Sequence, residues 1–320
     1  MLARSANGLF WMSRYLERAE HTARLLITQF EAMEDRSVEE IDLSWRRIYL
    51  AMGRSPAGGD LTSNLENEDF MLMDAYTLAD DLTFELVNSD SIRSSMYFAR
   101  ENARQIRNVV GRQFWTNLNS AYLELRSSRI EFIWTNKPQN FYANQENNAR
   151  TLSGYLDSSM YRDDGWHFLQ MGRFIERTQL IAALLISQIE IFSTEFNHQD
   201  STWISLMVLC NARLAYRRQR SLFSINPRHV LEFLISDAAH PHSIHYSIER
   251  TIEHFAAIST GEERVELTDI SKDLKSQLRS IKKNWRSRSL TDIQICEILQ
   301  NLLSSNRETY NEIASAYFFN

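Results

Sequence analysis

Trp11-Met12-Ser13-Arg14-Tyr15-Leu16-Glu17-Arg18-Ala19-Glu20 returns at mid-chain as Gln170-Met171-Gly172-Arg173-Phe174-Ile175-Glu176-Arg177-Thr178-Gln179. The offset is constant at 159 (171 − 12, 173 − 14, 176 − 17, 177 − 18). Met, Arg, Glu and Arg are identical in both copies, Tyr15 answers to Phe174, and Leu16 to Ile175. Around the first copy, Leu9, Met12, Leu16, Ala19, Ala23, Leu26 and Phe30 form an apolar seam in steps of three and four, the period of one helix face. Adding 159 gives Phe168, Met171, Ile175, Thr178, Ala182, Leu185 and Ile189, apolar at all but the small Thr178. One amphipathic helix is therefore expected twice, and a repeat of this length sets the architecture before any other feature does.

The rest of the composition agrees with helices. With 9 Gly and 4 Pro in 320 residues, the chain is poor in the residues that loops and barrel corners need, and its 43% hydrophobic content supplies a large core. A formal net charge of −6 gives no footing to nucleic-acid binding. The cations are unusual: only Lys137, Lys272, Lys275, Lys282 and Lys283 are lysines, and the others are arginines, which hold carboxylates and phosphates as forks. Lineage bias is the other reading of that skew. Cys210 and Cys296 have no CxxC spacing and suit free thiols in a reducing compartment. Early charges at Arg4, Arg14, Glu17 and Arg18 argue against a signal peptide. The apolar run Leu180 to Ile186 is too short for a membrane span, so a soluble cytoplasmic protein is expected.

Further along, Asp42-Leu43-Ser44-Trp45 and Asp200-Ser201-Thr202-Trp203 are each expected to open a second helix, at an offset of 158. Gly53 to Asp60 breaks the first half, whereas the second is expected to continue through Cys210 to Tyr216. Leu82 to Leu86 answers to Leu231 to Ile235, and helices starting at Ser91-Ile92 and Ser243-Ile244 follow, with Glu101 falling on Glu253 at an offset of 152. Helix is expected over Tyr97 to Asn108, Trp115 to Leu125 and Ala149 to Met160, with a turn at Lys137-Pro138 and a lead-in at Asp163-Asp164-Gly165. Leu267, Ile270, Leu274, Leu278 and Ile281 keep helical spacing through the polar stretch 259–289, and Ile293 to Phe319 closes the chain as an amphipathic helix. The fold class expected is all-α: an internally duplicated helical bundle with pseudo-two-fold related halves, one domain over 1–320 divided into 1–145 and 146–320. The helices carrying Arg14 and Arg173 should be central to it.

At these residues the chain resembles the bacterial alpha-E proteins. The resemblance is carried by Phe10-Trp11-Met12, Arg14-Tyr15-Leu16-Glu17-Arg18-Ala19-Glu20 and Thr22 to Leu26, by Ala99 to Arg104, by Trp115 with Leu118-Asn119, and by Gly165-Trp166, Phe168, Gly172-Arg173 and Glu176-Arg177. Gln179 and Leu180 depart from the pattern, which has an acidic and a polar residue there. The resemblance implies an all-helical cytoplasmic protein whose relatives accompany circularly permuted ATP-grasp ligases and transglutaminase-like proteins. It therefore implies a part in amide or peptide bond formation, with ATP, if used, bound by a partner ATP-grasp chain and no cofactor held here. It also puts Trp11, Glu101, Asn102 and Arg104 beside the motif as ligand-binding residues.

Two readings of the motif stay open. On a helical wheel Arg14, Glu17, Arg18 and His21 oppose the seam, which taken alone reads as a solvated face of weak ion pairs. The second copy is surrounded by Leu169, Leu180, Ala183 and Leu184, so Arg173, Glu176 and Arg177 leave a helix that is apolar nearly all round. Such charges form either a structural lock or a site for an anion. In the second case Arg14, Arg18, Arg173 and Arg177 converge on one cavity for a carboxylate or phosphate, with Glu17 or Glu176 as base. No nucleotide-binding loop is present, and His240, His242 and His245 lack an acidic partner at metal-ligand spacing, so they read as turn and cap residues. Trp45, Trp203 and Tyr216 lie on seams and read as core. A non-enzymatic helical scaffold is the alternative to the ligase component.

Overall fold

A computed structural model describes residues 3–56, 68–193, 200–219, 225–258, 272, 274–279, 281 and 290–317. Among these residues every regular element is a helix. The chain divides into two compact units, Trp11–Met160 and Met1–Phe10 with Tyr161–Asn320.

The Trp11–Met160 unit holds most of α1 (Ala3–Asp35), then α2 (Val38–Ala51), α3 (Glu68–Phe84), α4 (Ile92–Gln105), α5 (Arg107–Val110), α6 (Arg112–Ser127), α7 (Ile130–Thr135) and α8 (Pro138–Ser159). The whole seam from Leu9 to Phe30 is buried, as its spacing requires. So, against expectation, is most of the opposite face: Arg14, Glu17 and His21 are buried as well, and Arg18 is half-buried. A helix enclosed over most of its surface keeps its buried charges only where other side chains replace water, and that replacement cannot be read from one helix's own periodicity.

α2 begins four residues before Asp42. Ser37 caps it in a reciprocal box, with its Oγ accepting from Glu40 N and Glu40 accepting from Ser37 N. Asp42 lies inside the helix and accepts from Arg46 Nε at 2.8 Å. Ser-x-x-Glu outcompetes a lone Asp because it satisfies two free amides at once. α8 likewise extends back past Ala149 to Pro138, whose missing N–H costs nothing in the first turn.

In the other unit α9 (Asp164–Phe192) packs against α13 (Ile244–Ile258) and α14 (Asp292–Tyr317), with α10 (Asp200–Leu209), α11 (Arg213–Gln219) and α12 (Pro227–Ser236) between them in the chain. Asp163 caps α9 by accepting from Gly165 N and Trp166 N. Trp203 and Tyr216 are core residues, as is Trp45 in the first unit. Of the polar stretch 259–289, residues 274–279 are helical and Leu274 and Ile281 are buried; Leu267 and Ile270 lie outside the described residues, as do residues 57–67.

The expected continuation through Cys210 to Tyr216 does not occur. α10 ends on Asn211 at φ 50°, as α2 ends on Gly53 at φ 63°. Ala212 N donates to Met207 O (2.7 Å) and Arg54 N to Tyr49 O (3.0 Å), the same closing bond 158 residues apart (212 − 54). Asn tolerates the left-handed region, so the stop occurs without the glycine that would announce it. Asn211→Ala should therefore be about 1 kcal/mol less stable than Asn211→Gly, since both lose the same side chain and only Ala is strained there. Urea unfolding of the two variants checks this, and equal midpoints would refute it.

The turns before α4 and α13 also repeat. Ser91 Oγ accepts from Ser94 N and donates to Glu85 O, while Ser243 Oγ accepts from Tyr246 N and donates to Asp237 O. Ser91 N donates to Asn88 O and Ser243 N to His240 O. All four pairs are 152 residues apart (94/246, 91/243, 88/240, 85/237).

Candidate functional site

The first motif copy lies mid-helix on α1. Arg14 places its guanidinium over the Trp11 ring at 4.6 Å, and Trp11 stacks on Tyr15 (5.5 Å), which stacks on Phe98 of α4 (5.3 Å). Arg14 and Glu17 are each 6% exposed. Arg18 turns to the turn before α4: its Nη1 donates to Ser89 O (3.3 Å) and lies 3.5 Å from Asp90 Oδ1. Thr22 Oγ1 donates to Asp90 O at 3.0 Å.

In the second copy, on α9, Glu176 has no exposed surface and Arg173 is half-buried, its Nη1 3.3 Å from Gln170 Oε1. Arg177 lies over Phe174 (5.5 Å), and its Nη1 donates to Pro241 O at 3.2 Å. Pro241 stands 152 residues after Ser89, and Arg177 stands 159 after Arg18. The second arginine of each copy thus grips the carbonyl at the same place in the turn before a capping serine. Asn306 Nδ2 of α14 donates to Ile175 O, within the motif itself.

Trp11 is joined to Arg14, but Glu101, Asn102 and Arg104 are occupied on α4. Glu101 takes Arg100 (2.6 Å) and Arg104 (2.9 Å), and Asn102 Nδ2 donates to Phe98 O. The Arg104 pair is largely exposed and worth a few tenths of a kcal/mol. Phe98, which the sequence did not single out, is the α4 residue that meets the motif.

Two further clusters were missed. Glu20, Arg24, Glu146 and Arg150 form a closed ring of charges between α1 and α8: Arg24–Glu20 2.9 Å, Arg24–Glu146 3.1 Å, Arg150–Glu20 3.1 Å and Arg150–Glu146 2.6 Å. Their signal was two Glu–Arg pairs at i, i+4, ordinary in any helix. His167 on α9 and His254 on α13 face each other with Nδ1 atoms 3.0 Å apart, and Phe174 lies parallel to His254 at 6.0 Å. Desolvation lowers the proton affinity of both. The His167 charge and then those of Arg250, Arg173 and Arg162 act in the same direction on His254, to about 4.

His240 and His245 bond to backbone, His240 Nε2 to Cys210 O and His245 Nδ1 to Ser236 O, the turn and cap roles expected. Burial pushes the Cys296 thiol up to about 11, which removes it as a nucleophile near neutral pH. Among the described residues no three His, Cys, Asp or Glu side chains are grouped to hold a metal, and no helix is long and apolar enough to cross a membrane.

These features define an all-helical protein organised around two buried Glu-Arg helices. Residues 1–318 match the Alpha-E family, described as "a predicted alpha-helical domain with a conserved ER motif", and the chain belongs to that family. It is also similar to an uncharacterized protein of Mycobacterium bovis, 29% identical over 259 residues, and to one of Mycobacterium tuberculosis, 28% identical over 259 residues. Each match covers 77% of this chain and 29% of the relative, so the chain spans less than a third of the length of the curated relatives it matches. No solved structure is a significant match.

Proposed function

We propose that this chain is the substrate-holding component of an amide or peptide bond-forming system whose ATP-grasp ligase is a separate chain, with a transglutaminase-like protein as a further partner. The halves are read as products of an internal duplication, which the equivalent turns, the equivalent helix stops and the shared seam support. The observation that carries the functional reading is the division of labour within each copy. Arg18 and Arg177 each hold a turn carbonyl, whereas Arg14 and Arg173, the first arginines, lie against the Trp11 ring and the Gln170 amide, groups that orient a guanidinium. An oriented, partly desolvated fork is suited to a carboxylate or phosphate.

Glu17 and Glu176 are the base candidates of this reading, and both are buried. A second reading, a scaffold in which Arg-x-x-Glu-Arg is purely a lock, draws on the same Arg18 and Arg177 bonds. Arg14→Lys and Arg173→Lys separate the two. Both should fold with unchanged circular dichroism, and binding of a carboxylate such as glutarate should weaken about tenfold, because Lys makes no bidentate contact. Unchanged glutarate affinity, or none in the wild type, would favour the lock.

A further inference from the structure

Within the Trp11–Met160 unit, α4 and α6 pack against each other and carry a stack of arginines and aromatic rings. Arg100 lies over both Trp115 and Tyr122, its guanidinium 5.4 and 5.3 Å from the two ring centres. Its Nε donates to Asn119 Oδ1 (2.7 Å) and its Nη1 to Glu101 Oε1 (2.6 Å), which fixes it in place. Arg107 lies over the same Trp115 ring at 5.4 Å, and Tyr97 meets Tyr122 at 6.0 Å. Arg104 shares Glu101 with Arg100 through its Nε, and Arg107 is tethered by its own Nε to Arg104 O. Tyr97, Arg100 and Arg104 follow one another at i, i+3 and i+7, the spacing of one helix face. The surface has a sign: residues 92–127 hold six arginines and two glutamates, in a chain whose net charge is −6. It also has an apolar end, since Tyr97, Phe98 and Leu123 are exposed.

We propose that the α4–α6 face docks an acidic segment of a partner protein, one in which an apolar side chain stands about three residues from a pair of carboxylates. A guanidinium laid on a ring offers its N–H edge outward, and a carboxylate in that plane completes a fork. Arg104 and Arg107 are exposed and supply those edges, while Tyr97, Phe98 and Leu123 receive the apolar side chain. From Tyr97 to Arg104 the helix rises about 10 Å, the span of about three extended residues. Glu101, the one carboxylate of α4, competes with the partner's carboxylates for Arg104. A single-stranded nucleic acid also seeks arginines and rings, but it needs open ring faces to stack on. Here the Trp115 ring already carries Arg100 and Arg107, and the Tyr122 ring carries Arg100. The inference is independent of the role given above to Arg14 and Arg173.

The probe is a labelled, end-capped Phe-Ala-Ala-Glu-Glu peptide, titrated with the full chain and followed by fluorescence anisotropy. Binding should saturate, shift the Trp115 indole N–H resonance, and weaken about tenfold when both Glu of the peptide are replaced by Gln. Arg104→Gln/Arg107→Gln should keep the circular dichroism of the wild type, because both side chains are exposed, and should also weaken binding about tenfold. Glu101→Gln should tighten binding about threefold, because the competing carboxylate is gone, a gain that a merely structural role would not produce. Absence of saturable binding, or equal affinity for the Gln peptide, overturns the proposal. So does an affinity that Glu101→Gln leaves unchanged or lowers. Tighter binding of an oligothymidylate, lost in Arg104→Gln/Arg107→Gln, would overturn it in favour of a single-stranded nucleic-acid face.

Discussion

Arg24→Ala is expected to lower the unfolding free energy by about 3–5 kcal/mol, the cost of removing one partner from a buried ion pair. The side chain is 5% exposed and stands between Glu20 (2.9 Å) and Glu146 (3.1 Å), so its loss leaves the two carboxylates of α1 and α8, both largely out of water, to share Arg150. Arg150 touches the same two carboxylates, at 3.1 and 2.6 Å, but its side chain is 42% exposed. Water can take its place, and Arg150→Ala should cost about 1 kcal/mol or less. The contrast is the test. Urea unfolding of both variants at low salt should separate their midpoints clearly, and equal losses would mean that the ring is solvated. The ring has no counterpart in the second copy, where Gln179 and Ala183 stand 159 residues after Glu20 and Arg24. Gln179→Ala should accordingly be mild, and the two motif helices are stabilised by different means outside the shared Arg-x-x-Glu-Arg.

Glu176→Ala is the second large effect expected, again about 3–5 kcal/mol. From the sequence, Glu176 should matter more than Glu17, because the second copy has apolar surroundings. The structure narrows that difference: Glu17 is 6% exposed and Glu176 is 0%. A buried carboxylate persists only where its charge is answered, so removing either one strands what answers it. Both Ala variants should unfold at clearly lower urea, with Glu176→Ala the lower of the two by a modest margin. Glu176→Gln, which keeps the shape and an acceptor oxygen, should recover part of the loss. A near-neutral Glu17→Ala would place the first copy back on a solvated face.

The extent to which the chain was legible follows from which interactions are local. Seams, caps and the repeat operate within a turn or two of helix, and they are visible as spacing: the buried faces of α1 and α9, the caps at Ser91, Ser243 and Asp163, and the closing helix from Asp292 all lie where the pattern puts them. The Asp42 start failed locally, because a reciprocal Ser37–Glu40 box stood close by and satisfies more amides. The stop at Asn211 was hidden because Asn adopts a left-handed backbone without advertising it as Gly does.

By itself, then, the sequence determined an all-helical protein with two Arg-x-x-Glu-Arg helices, since hydrophobic period and capping chemistry are properties of a segment. Only the tertiary structure decided that the charged face of α1 is enclosed, that Arg18 and Arg177 hold the turns at Ser89 and Pro241, and that His167 meets His254 across 87 residues of chain. The physical reason is the same in each case. The free energy of a buried charge or a shared proton depends on what replaces water around it, and the groups that do so come from elsewhere in the fold.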